Sequence, residues 1–328
     1  MEVSIGSESN ADSQAHENPP AKPRELVKRL RYPQDRPGAV DVYNEDIAKL
    51  AEGEFLNDTI IELGLKVLHE EIRKRDSELA DSIHIFSSFF YKRLTSTAPR
   101  DYSRAYELVR KWAKVSIFTK KYLVLPINES LHWYLAIVVN PSYAVDEGRI
   151  AAMYERPSDP EREPEGATVL VFDSLAGKHT KVTKDLTNYM KYTWLEQTGK
   201  WQEEAKRTDV SGPKQPNYCD CGLFVLHYFE RFFSDPDKFC QDVIPSRQRD
   251  HEEWKKEEIE LGRRQHWRDK IEELAQAWES KERETLEQRA LANALKKDAD
   301  KAAKESEDAT RQAAEAMDEM EVDDAMQE

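Results

Sequence analysis

The octet Gln215-Pro216-Asn217-Tyr218-Cys219-Asp220-Cys221-Gly222 runs directly into the apolar stretch Leu223-Phe224-Val225-Leu226-His227-Tyr228-Phe229. Before it the chain is polar and turn-rich, with Gly212-Pro213 just upstream; after it, apolar side chains occupy every face a helix would have. This predicts a loop feeding the N-terminus of a buried helix, with Cys221 at the junction. A thiol there meets the positive end of the helix macrodipole and unpaired backbone N–H groups, both of which favour thiolate. The following glycine admits close approach of a substrate backbone. The plainer reading is packing, because cysteine is among the most buried residue types. A base and an orienting acid elsewhere in the chain would decide for chemistry.

Charge narrows the partners. The formal net charge of −15 over 328 residues argues against a general nucleic-acid binder, which needs clustered Lys and Arg, and suits a basic protein partner. With 34% charged residues and a mean hydropathy of −0.82, part of the chain is expected to be extended or disordered. Residues 1–24 have almost nothing to bury and are the first such segment. Three cysteines, an odd number without a framework, point to a reducing compartment, cytosol or nucleus. No stretch approaches a membrane span and no apolar signal core opens the chain, so a soluble intracellular protein is expected. Arg24, Lys28, Arg29 and Arg31 fit a nuclear import signal or, more simply, a solvated face.

The globular part is expected to begin near Tyr32. Val40 to Tyr43 alternates like a strand, and Glu45 to Leu50 makes a helical turn. Leu56 to Ile72 predicts an amphipathic helix with Asn57 or Asp58 as cap. Ile83 to Leu94 and Tyr106 to Val115 predict two more. The period then changes: Tyr122 to Ile127 and His132 to Val139 are β-branched runs separated by the turn chemistry of Asn128-Glu129-Ser130, and Thr168 to Phe172 is a third strand. Residues 143–166, acidic and Pro-rich, read as a surface insertion, and Lys184 to Trp194 as a helix. From Arg247 the composition turns to Glu, Lys, Arg, Ala and Gln. Trp267, Ile271, Leu274 and Trp278 keep a spacing that docks on a domain, whereas 281–328 reads as a solvated helix or disordered tail without sustained heptads. The sum is one α+β domain of roughly 230 residues.

Three positions offer chemistry. His132 opens the central strand, Asp173 closes the next, and Cys221 heads the helix. A thiolate attacks a carbonyl, an imidazole carries the proton to the leaving amine, and a carboxylate fixes the imidazole's tautomer. The Gln215 side-chain amide and the Cys221 backbone N–H are candidate oxyanion donors. Each has a plainer reading: a structural histidine, a turn aspartate, a solvated glutamine. Cys219, Cys221 and His227 make an incomplete zinc set, so no metal is expected, and the chemistry needs no cofactor.

The octet resembles the Q-x-N-x-x-D-C-G signature of the SUMO-specific cysteine proteases, the ubiquitin-like-protein-specific and sentrin-specific protease family. Glu54 to Ile61, Ile127 to Tyr134 and Val171 to Leu175 resemble further blocks of that family in the same order, from about Tyr32 to the 270s. Lys111-Trp112 through Leu123 is most similar to the branch that edits poly-SUMO chains. The resemblance implies a papain-like α+β fold with a small mixed sheet flanked by helices, spanning 25–280. It implies Cys221 as nucleophile, His132 as base, Asp173 as orienting acid and Gln215 as oxyanion donor. It further implies a narrow channel for the modifier's Gly-Gly tail, with Trp133 as one wall and Phe55, where relatives often carry Trp, as the other. Asp58 would pair with an arginine of SUMO. The implied function is a SUMO isopeptidase acting on conjugates and chains, with SUMO and its conjugates as partners, as a monomer without nucleic acid or membrane, in the nucleus and also the cytoplasm. A NEDD8 or ubiquitin protease on the same scaffold, or a catalytically silent binding module, is the alternative.

Overall fold

The computed structural model describes residues 25–145, 166–199, 205–210, 212–246, 254 and 262–325. In order these form Lys28–Tyr32 (β1), Val40–Tyr43 (β2), Asn44–Ala48 (α1), Asp58–Arg75 (α2), Ser77–Ser82 (α3), Ile83–Ile85 (β3), Phe89–Leu94 (α4) and Tyr102–Val109 (α5). Then follow Tyr122–Glu129 (β4), His132–Val139 (β5), Thr168–Phe172 (β6), Thr180–Thr198 (α6), Lys206–Val210 (β7), Cys221–Phe232 (α7), Pro236–Ser246 (α8) and Arg263–Ala325 (α9). The main sheet has the order β3-β4-β5-β6-β7, with parallel outer pairs and antiparallel inner ones. No helix among the described residues is long and apolar enough to cross a membrane.

Side chains alternate across a strand with a period of two, and here both faces are buried. Val124, Trp133, Leu135, Ile137 and Phe172 face α2 and α7, while Leu125, Tyr134, Ala136, Val138 and Val171 face α4, α5 and α6. This explains why β4 and β5 read as continuous apolar runs. The α+β architecture is the one expected, with α2 capped by Asn57, whose side chain accepts from the Ile60 N–H.

Several local expectations change. Ile83 to Leu94 is two elements: Ile83–Ile85 is a strand parallel to β4, and helix starts only at Phe89. The Ser87 hydroxyl and the Ser88 N–H both donate to Glu62, which fixes the break between them. The next helix runs from Tyr102 to Val109 and not to Val115, started by the Asp101 side chain on the Arg104 N–H. Helix α6 extends beyond Lys184 to Trp194 at both ends. Polar Lys206–Val210, unrecognised as a strand, pairs parallel with β6. Three of the basic run are folded in, Arg24 lying outside the described residues: β1 starts at Lys28, before Tyr32, with Leu30 buried, Lys28 and Arg31 paired to Asp41, and Arg29 paired to Glu272. The segments expected to be disordered (1–24) or inserted (143–166) lie outside the described residues, except for 143–145 and 166.

The docking stripe of α9 is as spaced: Trp267 and Ile271 are each 1% exposed in the core that also holds α7, with Leu274 and Trp278 packed against it. Beyond them Leu286, Leu291 and Leu295 are exposed. The tail is helical up to Ala325. Trp267→Ala is therefore expected to cost about 3–5 kcal/mol of unfolding free energy, from lost burial plus a cavity. Truncation after Ser280 removes exposed pairs such as Lys281 with Asp35 and shifts it by no more than about 1 kcal/mol. Urea unfolding of the two variants checks both.

Candidate active site

The register of β5 on β6 builds the site. Leu135 pairs with Phe172, the last residue of β6, and β5 continues past it to His132. The chain leaving β6 at Asp173 therefore passes the exposed end of β5, and His132 Nε2 lies 2.6 Å from Asp173 Oδ1. The β4–β5 connection is a two-residue turn, since Glu129 pairs with His132 and both Ser130 and Leu131 have positive φ. The expected turn at 128–130 is thus shifted to Ser130-Leu131.

Asp173 is buried and fully engaged. Besides His132 it accepts from the Leu175 and Gly177 N–H groups, both at 2.8 Å, and contacts His179 Nε2 at 2.7 Å. Burial pushes its carboxyl up, but the bonds to His132, His179 and the Leu175 N–H outweigh that and hold it well below the usual carboxylate range. A Cβ at Gly177 would lie 2.4 Å from Asp173 Oδ2, so only glycine lets this backbone close on the carboxylate. Burial likewise pulls the His132 imidazole down, yet its hydrogen bonds with Asp173 and the Cys221 thiol raise it to about 9. His132 is thus engaged by both a carboxylate and a thiol.

Cys221 is the first residue of α7 and fully buried. The loop before it is ordered by Asn217, whose side-chain oxygen accepts from the Cys219 and Asp220 N–H groups while its amide donates to Asp220 Oδ2 at 2.7 Å. Gly222 serves a different end from the one expected. A Cβ there would lie 2.8 Å from Leu56 Cβ and 3.1 Å from Ile61 Cδ1, so the close approach is that of the protein's own α2 segment. Gln215 is anchored next to Asp173: its Oε1 accepts from the Ser174 hydroxyl at 2.7 Å, and its Nε2 donates to Asn217 O at 2.6 Å. Burial and then the Asp220 charge push the Cys219 thiol up.

Trp133 is tied to the segment that carries Phe55, because the Leu56 carbonyl accepts the Trp133 indole N–H at 2.9 Å. Trp133 is buried, and Phe55 is 44% exposed. Asp58 occupies the first turn of α2, half-exposed, where its charge suits the helix dipole. His179 was missed by sequence reasoning. It lies on a polar loop before α6 and stacks on Tyr134 with ring centroids 3.8 Å apart; no spacing rule marks such a residue.

A family model described as the Ulp1 protease family, C-terminal catalytic domain, matches residues 54–266. The chain belongs to this family. Ubiquitin-like-specific protease 2 of Schizosaccharomyces pombe is 34% identical over 235 residues, covering 66% of this chain and 36% of that protein. Sentrin-specific protease 7 of Rattus norvegicus is 33% identical over 257 residues, covering 61% of this chain and 24% of that protein. The chain thus spans well under half the length of either relative. A solved structure described as a de-sumoylating protease matches with a TM-score of 0.62 at 25% identity, covering 79% of this chain and 96% of that one. The Ulp1 match begins just before Phe55 and ends inside the first turn of α9, so it encloses His132, Asp173, Gln215 and Cys221.

The Asp173 carboxylate dominates what raises the His132 imidazole, so Asp173→Asn should lower the imidazole titration by roughly two pH units or more. NMR of the ring protons reads this directly, and an unmoved midpoint would show that the carboxylate does not hold the imidazolium.

Proposed function

We propose that the chain is a deSUMOylating cysteine isopeptidase. The observation that carries the chemistry is His132, hydrogen-bonded to Asp173 at 2.6 Å and raised further by its interaction with the Cys221 thiol, which heads a helix. The modifier is supported by the relatives' own names and by the de-sumoylating protease of matching fold. The depth of Cys221 adds a physical reason: a fully buried sulfur is reached by a tail no thicker than extended glycine.

In this reading Cys221 transfers its proton to His132, and the thiolate attacks the carbonyl of the modifier's terminal glycine. The negative charge that develops on the carbonyl oxygen is met by the Cys221 backbone N–H and the second N–H of Gln215 Nε2, the first being given to Asn217 O. The C–N bond breaks as the imidazolium gives its proton to the departing lysine amine, leaving a thioester. Water, deprotonated by His132, then attacks the thioester and releases the modifier's carboxylate and the Cys221 thiol. Phe55 and Trp133 wall the tail, and Asp58 meets a basic group on the modifier's surface.

Wild type and Cys221→Ser are to be incubated with SUMO, NEDD8 and ubiquitin isopeptide conjugates. SUMO cleavage is expected to fall by about 10⁴-fold or more in the variant, as when a nucleophile is removed from a cooperating triad. Turnover of NEDD8 or ubiquitin conjugates alone would assign the site to another modifier. The imidazolium that protonates the amine exists only below its pKa of about 9. A pH series of kcat/KM is therefore expected to decline as pH rises through 9, and a rate still climbing there would contradict the assignment of His132 as acid.

A further inference from the structure

Arg264 lies in the first turn of α9, distant in sequence from every residue so far placed at the site. Its side chain is only 14% exposed, and a guanidinium has five N–H donors to satisfy once buried. Nε and Nη2 donate to Asp220 Oδ1 at 3.0 and 2.5 Å. Nη1 donates to Ala51 O at 2.8 Å and Lys49 O at 3.3 Å, and Nη2 also to Glu54 O at 2.8 Å, with Cys219 O at 3.5 Å. Every donor therefore ends on one of two strips of chain. One is the loop that delivers Cys221. The other is Lys49 to Glu54, which leads into Phe55 and Leu56.

Docking α9 does not require this. Trp267 and Ile271 already seat the helix through burial, and Arg268 Nη2 donates to Leu50 O at 2.7 Å. What the guanidinium adds is a fixed spacing between the two strips. Leu56 is the pivot between them, since it lies against Gly222 and its carbonyl holds the Trp133 indole N–H. Charge points the same way. The Asp220 carboxylate adjoins Cys221 and is itself largely buried, so unpaired it would oppose a thiolate at the head of α7; the guanidinium offsets it.

We propose that Arg264 is a positioning residue for Cys221, a clasp that holds the N-terminus of α7 and the Phe55 segment together so that the thiol meets His132. This rests on Cys221 being the nucleophile proposed above. It also makes the first turn of α9 part of the working site, though the sequence marks this helix only by its docking stripe and charged tail.

The test compares Arg264→Lys, Arg264→Met and Trp267→Leu in the full chain. Three quantities are read: the thermal unfolding midpoint, the pH profile of Cys221 alkylation by iodoacetamide, and kcat and KM on a SUMO isopeptide conjugate. Lysine keeps the charge and the stem but loses the planar fork. Arg264→Lys is expected to lower kcat roughly 10- to 100-fold, as a misplaced nucleophile does, with a smaller change in KM. Arg264→Met is expected to move the alkylation profile to higher pH as well. Trp267→Leu is expected to lower the midpoint more than Arg264→Lys does while alkylating as wild type below its midpoint. If Arg264→Lys alkylates and turns over as wild type, or the Arg264 variants lose rate only in step with their midpoints as Trp267→Leu does, the clasp is overturned. Alkylation needs no modifier. An altered profile in a chain that cleaves no SUMO conjugate would uphold the clasp and reject the substrate, and an unaltered profile in an active chain would do the reverse.

Discussion

The Asp173 carboxylate is the constraint on which the rest of the site depends. A buried carboxylate is unfavourable unless donors surround it, and removing one donor exposes the full desolvation penalty. Here the donors come from β5, from the turn after β6 and from the loop before α6, so three segments are tied to one side chain. The same turn carries Ser174, which holds Gln215 and thereby the start of the Cys221 loop. The order of the site therefore spreads outward from a single anion. His132 is oriented by it directly, and Gln215 through its neighbour.

The two-faced sheet explains why chemistry collects at one edge. With both faces covered by helices, the sheet meets solvent mainly at its strand ends, at the loops leaving them and along the polar edge strand β7. His132 is at such an end, Asp173 just past another, and Cys221 at the head of the helix packed beneath. The exposed apolar residues Leu131, Leu175 and Tyr218 are each adjacent to or near one of these positions in sequence.

How much of this was legible in the chain depends on the range of the signal. Cys221 at the helix start and His132 at the strand start follow from local pattern, because a change from polar to apolar run marks an element's end. The break at Ser87-Ser88 does not, since it is imposed by Glu62 from another helix. Strand Lys206–Val210 escapes for a related reason: an edge strand of polar residues is held by pairing with β6 and not by alternation. His179 and Arg264 were illegible because their meaning lies wholly in their partners. A lone histidine in a loop and one arginine among many in a charged helix carry no periodic mark.

The two-residue turn between β4 and β5 has a consequence for variation at this site. Ser130 and Leu131 both sit in the left-handed region, and Glu129 and His132 close the ladder immediately on either side, so the connection holds no slack. Inserting a single residue into β5 near its start would turn the imidazole to the opposite face of the strand, and the period of two offers no intermediate setting. The base's location is thus quantised: successive small changes in length cannot tune it by degrees.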